Sequence, residues 1–343
     1  MTLKTTLPST TARTIRSEVV DGRLSIGAFV CGLLIGFGPL DLSAQDIYLG
    51  DSLLQLGLAP LAPVKGDSPG TERYTAKGSP EVWAEKNRDY AFISGVKVFL
   101  QDTVDEKKGK LTVTRLDYDK ALVPLLWKLP AQRPGTRRII LDPGHGGKDP
   151  GKVNPTVGYT EKAATLDTAL RLKLLLEKRG FEVLLTREND VAIELQNRAP
   201  LANTAKADLF VSLHYNGGAA GDTTSGGIET YCLTPAGQHS TNKAGGKADL
   251  TTEPGNRFDT FNLLLAWHIH LATISSTQAE DRGVRRARFA VLRTLNCPGV
   301  LIEGGFMSSR TEGAQIANAA YRQKLAEAIA EGLTAYANRL RAK

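Results

Sequence analysis

Three residues that can bind metal ions or carry protons each follow a short run of apolar residues. They are His145 after 139–141, His214 after 209–213, and Glu303 after 299–302. Each apolar run is typical of a buried strand. In an open α/β sheet, ligands bind beyond the carboxyl ends of the strands, so these side chains are expected to meet at one sheet edge.

His145 lies in an unusually glycine-rich corner, Asp142-Pro-Gly-His-Gly-Gly-Lys-Asp-Pro-Gly151. Ordering glycine costs more backbone entropy than ordering any other residue, so a function should compensate for it. The glycines allow a sharp turn that points the His145 imidazole into a cleft and leave room for a bulky substrate. Glu161 begins the helix predicted after this loop, and a helix N-terminus lies near the same sheet edge.

Two histidines and one carboxylate form one of the zinc-ligand sets of hydrolases, which keep a fourth position open for water. Zinc polarises a carbonyl and brings the pKa of bound water toward about 7. A second carboxylate nearby can accept the proton. His145, Glu161, His214 and Glu303 together fill these roles, which indicates a hydrolase with one divalent ion.

From residue 137 onward the pattern alternates between strands and helices. This predicts an α/β fold, a mostly parallel sheet with helices on both faces, preceded by a small β-rich N-terminal domain. The predicted strands are 138–141, 181–186, 208–213, 227–233, 290–292 and 299–302. The predicted helices are 160–179, 194–206, 259–277 and 318–341. Residues 234–258 are rich in Gly, Thr and Asn and are predicted to form a surface loop.

The first 136 residues divide differently. Residues 1–44 have four basic residues, an apolar run from Leu24 to Leu40 and a small residue at Ala44, which is typical of a secretory signal peptide. An uncleaved anchor and a lipoprotein modified at Cys31 are the alternatives. Residues 45–79 are predicted to be a loosely structured lead-in, 80–129 a small β-rich domain with a hairpin around Ser94-Gly95, and 130–136 a linker.

Composition and charge restrict the partners. The net charge of +7 over 343 residues is mild and fits an anionic partner such as nucleic acid or a cell-wall polymer. Without a dense Lys/Arg block, we expect no nucleic-acid partner. We also expect no stable membrane span once the signal is removed. The cysteines beyond the signal, Cys232 and Cys297, do not form a cysteine-dense framework and are expected to be apolar free thiols.

The segment 137–343, which contains all four candidate site residues, resembles the zinc-dependent N-acetylmuramoyl-L-alanine amidases of the AmiA/AmiC type, the amidase_3 family. The resemblance rests on matching segments in order and spacing: 139–151, Glu161-Lys162, 183–187, 207–214, 227–231, 282–284, 291–293 and 300–308. Small departures are Tyr215-Asn216 after His214 and Gly304 after Glu303.

The resemblance implies a catalytic domain over 137–343 that holds one Zn²⁺ with His145, Glu161 and His214. It implies Glu303 as the catalytic residue. The implied reaction is hydrolysis of the amide between N-acetylmuramic acid and L-alanine of the peptidoglycan stem peptide, in the periplasm or cell wall of a bacterium. An activator protein is a further candidate partner. The insert 234–258 is too short and glycine-rich to predict the inhibitory helix of some members.

Several interpretations stay open at this stage. The rival functions are another zinc hydrolase acting on wall peptides or sugars, and a catalytically inactive wall-binding module. Asp142 and Asp149 are interpreted as turn residues or as groups that orient the His145 ring. Five arginines are either surface charge or contacts to peptide carboxylates: Arg187, Arg198, Arg285, Arg286 and Arg288. The other histidines, His239, His268 and His270, are interpreted as structural.

Overall fold

The computed structural model describes residues 46–62, 64–65, 67–76, 80–127, 129–131, 133–242 and 247–342. The predicted signal segment 1–44 lies outside these ranges. Over the part of the chain that is described, no helix is long and apolar enough to cross a membrane.

Fourteen strands form two sheets within the described ranges. In chain order the strands are β1 Asp46–Tyr48, β2 Ala59–Pro60, β3 Thr71–Thr75, β4 Val82–Glu85, β5 Tyr90–Ile93, β6 Val96–Phe99, β7 Asp105–Lys107, β8 Lys110–Thr114, β9 Arg138–Pro143, β10 Glu182–Leu185, β11 Leu209–Asn216, β12 Ile228–Leu233, β13 Asp281–Ala287 and β14 Gly299–Phe306. The small sheet has the order β1-β8-β7, and the large one the order β10-β9-β11-β14-β12-β13-β6-β5-β4-β3-β2.

The helices, also in chain order, are α1 Leu49–Gln55, α2 Arg115–Asp117, α3 Val123–Leu126, α4 Glu161–Lys178, α5 Leu195–Thr204, α6 Asp259–Thr277, α7 Ala290–Arg293, α8 Arg310–Ala317 and α9 Ala319–Arg341. A π-helical segment, Tyr118–Leu122, joins α2 to α3, and a 3₁₀ turn, Pro254–Phe258, precedes α6.

The large sheet is parallel where the site forms. Strands β10, β9, β11 and β14 run parallel, and β12 pairs antiparallel with β14. One face is covered by α4, α6 and α9, whose buried residues share a core with residues such as Leu213 and Ile302. The other face packs Ile140, Phe210 and Leu301 against α5 and α7. The predicted α/β fold with helices on both faces is confirmed.

The strands of the N-terminal region continue this sheet. Strand β6 pairs parallel with β13 through Val98 and Val284, and β6, β5, β4 and β3 pair antiparallel beyond it. Alternate residues of β4, β5 and β6 are buried, as in a sheet with one covered face. The predicted domain division at 130–136 stays a prediction, although strand pairing links its two sides.

Several local expectations are corrected. Residues 290–292, predicted as a strand, form the start of helix α7. The N-terminal lead-in contains β1, α1, β2 and β3, because Leu49 and Leu53 are buried in the core. Strand β13 was missed because its sequence, DRGVRRA, is too polar for a buried strand. Helix α8 was also missed. The hairpin around Ser94-Gly95 is present as β5 and β6.

Candidate metal centre

His145 lies on the tight turn that follows β9. Its φ is +61°, a left-handed conformation that is uncommon for a residue with a side chain. The ring is oriented by Asp149, whose Oδ2 lies 2.7 Å from Nδ1. The other ring nitrogen, Nε2, therefore faces Glu161, with 2.9 Å to Oε1. Asp149 thus does what the sequence suggested, since it fixes the orientation of the candidate ligand.

Glu161 is the first residue of α4 and is almost fully buried, at 2% exposure. Its Oε1 lies 3.0 Å from His214 Nδ1 and accepts a hydrogen bond of 3.1 Å from the Tyr215 backbone N–H. Its Oε2 accepts from the Lys152 N–H at 2.8 Å. Burial raises the pKa of Glu161, but the two histidines outweigh it and hold this pKa well below its usual range. The carboxylate is therefore ionised.

His214 lies near the end of β11, beside the loop that carries His145. The two rings are 5.0 Å apart between centroids and inclined at 76°. Two glycines make this approach possible. A Cβ on Gly144 would lie 2.3 Å from the His214 ring, and one on Gly151 would lie 2.5 Å from Glu161 Oε2. Close packing of the candidate ligands, as well as the turn itself, requires the glycines.

The structure brings the three candidate ligands together. One ligand atom from each of His145, Glu161 and His214 lies within 4.8 Å of the other two. Nitrogen and oxygen ligands held about 2.0–2.2 Å from a tetrahedral zinc stand on the order of 3.3 Å apart, close to the contacts between Glu161 and the two rings. Donor types, spacing and an ionised buried carboxylate all fit a divalent ion.

Glu303 lies on β14, with His214 of β11 as its neighbour on one side and Glu229 of β12 on the other. Among the described residues its Oε2 is buried without a hydrogen-bond partner. Burial, followed by the charges of Glu161 and Glu229, raises the pKa of Glu303 well above its usual value. A carboxyl whose pKa is raised in this way holds a proton more readily and is suited to proton transfer.

All four predicted site residues line one cavity of about 490 Å³. Its other walls include apolar side chains, namely Leu195, Phe289, Val291 and Leu301. None of the described residues of the insert 234–258 lines this cavity. The cavity is large enough for part of a substrate.

Two buried arginines hold the His145 turn by hydrogen bonds to its backbone carbonyls, and each is only 3% exposed. Arg187 donates to the carbonyls of Pro143 and Gly144 at 3.0 and 2.8 Å, and to that of Lys162 on α4 at 2.8 Å. Arg198 donates to the carbonyls of Pro143 and His145 at 2.9 and 3.0 Å. Neither interpretation offered from the sequence, surface charge or substrate contact, was correct for these two residues.

The same support extends to His214 through Asp142, which is fully buried. Its Oδ1 accepts from Arg198 at 2.7 Å and from Thr186 Oγ1 at 2.7 Å. Its Oδ2 accepts from Ser212 Oγ, two residues before His214, at 2.8 Å. One connected polar network thus fixes the turn of His145 relative to the strand of His214.

Sequence reasoning missed Glu229 and Arg282. Glu229 Oε1 accepts from Arg282 Nε at 2.9 Å, and its Oε2 accepts from Asn216 and from Tyr231. A glutamate within the otherwise apolar run Ile228-Glu-Thr-Tyr-Cys-Leu233 was the available signal, since a buried charge needs a partner.

The other histidines and the two cysteines do not belong to the group of candidate metal ligands formed by His145, Glu161 and His214. His268 and His270 are both on α6, and burial lowers the pKa of His268 to about 4. His270 bonds Thr230 and Asp281, and His239 Nε2 bonds the Gln101 carbonyl at 2.6 Å. Cys232 and Cys297 are buried free thiols.

Comparison with known proteins defines the class. Residues 139–335 match the family of N-acetylmuramoyl-L-alanine amidases, which is more than half of the chain. The chain belongs to this family.

Relatives include the N-acetylmuramoyl-L-alanine amidase LytC of Bacillus subtilis, 33% identical over 58% of this chain and 35% of LytC. AmiA of Escherichia coli is 30% identical over 59% of this chain and 76% of AmiA. The solved structure of AmiC2 of Nostoc punctiforme is similar with a TM-score of 0.50 and 30% identity, covering 60% of this chain and 99% of that one. This chain therefore matches about a third of the length of LytC.

Proposed function

We propose that the protein is a zinc-dependent peptidoglycan hydrolase that cleaves the amide between N-acetylmuramic acid and L-alanine of the stem peptide. The observation that carries this proposal is the cavity that three candidate metal ligands share with Glu303, whose buried Oε2 has no hydrogen-bond partner among the described residues. Membership of the amidase family, and the printed names of LytC and AmiA, support the choice of substrate.

His145, Glu161 and His214 would hold the zinc. Their neutral imidazole nitrogens and anionic oxygen match its preferred donors, and Asp149 orients one of the rings. When bound, zinc would supply Lewis acidity, which makes water more acidic and stabilises negative charge on the amide oxygen.

Glu303 would act as the general base and then as the general acid. Its carboxylate takes a proton from the attacking water, and its raised pKa favours keeping that proton. The nitrogen of L-alanine needs a proton to leave as an amine. Glu303 lines the same cavity as the ligands and can deliver the proton there.

Export is part of the proposal, because the substrate lies outside the cytoplasm. The basic start, the apolar run and Ala44 within residues 1–44 support a signal peptide. Sequencing the N-terminus of the protein exported by a bacterial host would test this. Cleavage after Ala44 is the expected result, and an N-terminus that still contains residues 1–44 would argue for a retained anchor.

Digestion of purified sacculi tests the reaction. Protein supplied with zinc should release stem peptides with a free L-alanine amino group and leave muramic acid with an unsubstituted lactyl carboxyl. A chelator should stop the release, and added zinc should restore it. Cleavage within the peptide or at the N-acetyl groups would instead indicate another zinc hydrolase. Wall binding without any product in the presence of zinc would indicate an inactive module.

A further inference from the structure

A second cavity, of about 500 Å³, adjoins the one that contains the candidate metal ligands. Asn216, Phe289 and Glu303 line both, so Glu303 stands at the junction. The two cavities differ in character. The candidate metal ligands line the first, whereas Arg282 and Arg285 of β13 line the second.

Arg285 lines this cavity, and its side chain is held by several contacts. Its guanidinium lies 4.0 Å from the ring centroid of Phe99 on β6. Its Nε and Nη1 donate to the backbone carbonyls of Arg282 and Thr241, both at 3.0 Å. Its side chain is 17% exposed, and its carboxylate neighbour, Glu229, stands 3.6 Å away. Arg285 therefore has fixed geometry and no hydrogen bond to this carboxylate.

The acidic groups of the second cavity are engaged elsewhere. Glu229 bonds Arg282 through one oxygen, and Asn216 and Tyr231 through the other. Asp222 accepts from the backbone N–H groups of Thr224 and Ser225 in its own loop. Among the described residues that line this cavity, Arg285 is thus the cation whose nearest carboxylate oxygen, on Glu229, lies beyond hydrogen-bond distance.

We propose that the second cavity binds the stem peptide and that Arg285 recognises a carboxylate on the acidic residue that follows L-alanine. This rests on the proposed amidase function. The amine of L-alanine leaves at Glu303, so the peptide beyond it should continue away from the candidate ligands, into the second cavity. The planar guanidinium matches a carboxylate and would bind it by charge-assisted hydrogen bonds. The sugar rings on the other side of the scissile amide carry no such charge.

A pair of muramoyl tripeptides tests this assignment. They differ only at the acidic residue after L-alanine, whose free carboxyl is replaced by a carboxamide in the second compound. Hydrolysis of both is measured with the full-length zinc-supplied protein, with Arg285→Gln, and with Arg293→Gln as the control. Arg293 is an exposed arginine beyond β13 that pairs with Glu253 and lines neither cavity.

The expected result is a preference of the wild type and of Arg293→Gln for the free carboxyl by roughly tenfold or more in kcat/KM. Arg285→Gln should hydrolyse the two compounds at rates within roughly twofold of each other. The ratio of two substrates on one preparation does not depend on how much of a variant is folded. An unselective wild type, or an Arg285→Gln variant that keeps the preference, would overturn the proposal.

Calorimetry with the two free tripeptides separates this proposal from the reaction itself. The wild type should bind the acid roughly tenfold more tightly than the amide, and Arg285→Gln should not distinguish them. If neither muramoyl compound were hydrolysed, the proposed amidase function would fail. Equal binding of acid and amide by the wild type would overturn the carboxylate site alone.

Discussion

The two glutamates of the cleft have opposite environments. Glu161 receives two backbone N–H groups and faces two imidazoles, and its pKa is held well below the usual range. Glu303 is partly exposed as a residue, but its Oε2 is buried and has no hydrogen-bond partner among the described residues, and its pKa is raised. The same side chain is thus prepared for binding a cation at one position and for holding a proton at the other. The partners, not the residue type, set the role.

Glu161→Gln tests the cation-binding half of this comparison and should have the largest effect. The change removes the negative charge while keeping the shape, so zinc affinity should fall by a factor of about 100 or more, and hydrolysis should be lost. Competition with a chromogenic chelator measures the affinity. Unchanged zinc binding would remove Glu161 from the ligand set.

Glu303→Gln tests the proton-holding half. Hydrolysis of sacculi should fall by about 10²–10⁴-fold, the range for loss of a general acid–base group. Zinc affinity should stay within a factor of about three of the wild type, because Glu303 is not among the candidate ligands. A variant with nearly full activity would show that another group moves the proton.

Arg198→Lys tests whether the support beneath the ligands matters. Lysine cannot reach Asp142 and two carbonyls at once, so the turn of His145 should loosen. We expect zinc affinity to fall about 10–100-fold and the free energy of unfolding to fall by about 2–4 kcal/mol. Denaturant titration measures the stability.

Arg115→Lys provides the control for this change. Arg115 makes an exposed pair with Asp119, so its replacement should change stability by less than about 0.5 kcal/mol. Equal effects of the two substitutions would show that burial of Arg198 contributes nothing specific.

Gly151→Ala, compared with Gly158→Ala, should give the smallest effect. Both glycines have φ above +60°, so both substitutions strain the backbone by about 1 kcal/mol. A Cβ at Gly158 would meet nothing within 4 Å, whereas one at Gly151 would press on Glu161 and His145. Zinc affinity should therefore weaken only in Gly151→Ala. If both variants bound zinc like the wild type, close packing at Gly151 would not be needed for the site.

Much of the catalytic fold could be predicted from local patterns. The apolar runs before His145, His214 and Glu303 are strands β9, β11 and β14, and helix α6 has the predicted bounds. Strand β13 could not be predicted this way. Its arginines occupy the sheet because Arg285 stacks on Phe99 and Arg286 donates to the Lys120 carbonyl, and both partners lie more than 150 positions earlier in the chain.

The sequence by itself determined which side chains follow the apolar runs of the strands and therefore which residue types meet in the cavity. Strand order and packing decided the rest. They brought Glu229 beside Glu303, buried Arg187 and Arg198 beneath the turn of His145, and gave the two glutamates different partners. Local periodicity is a property of neighbouring residues, whereas the pKa of a buried carboxyl depends on groups that only the folded chain places around it.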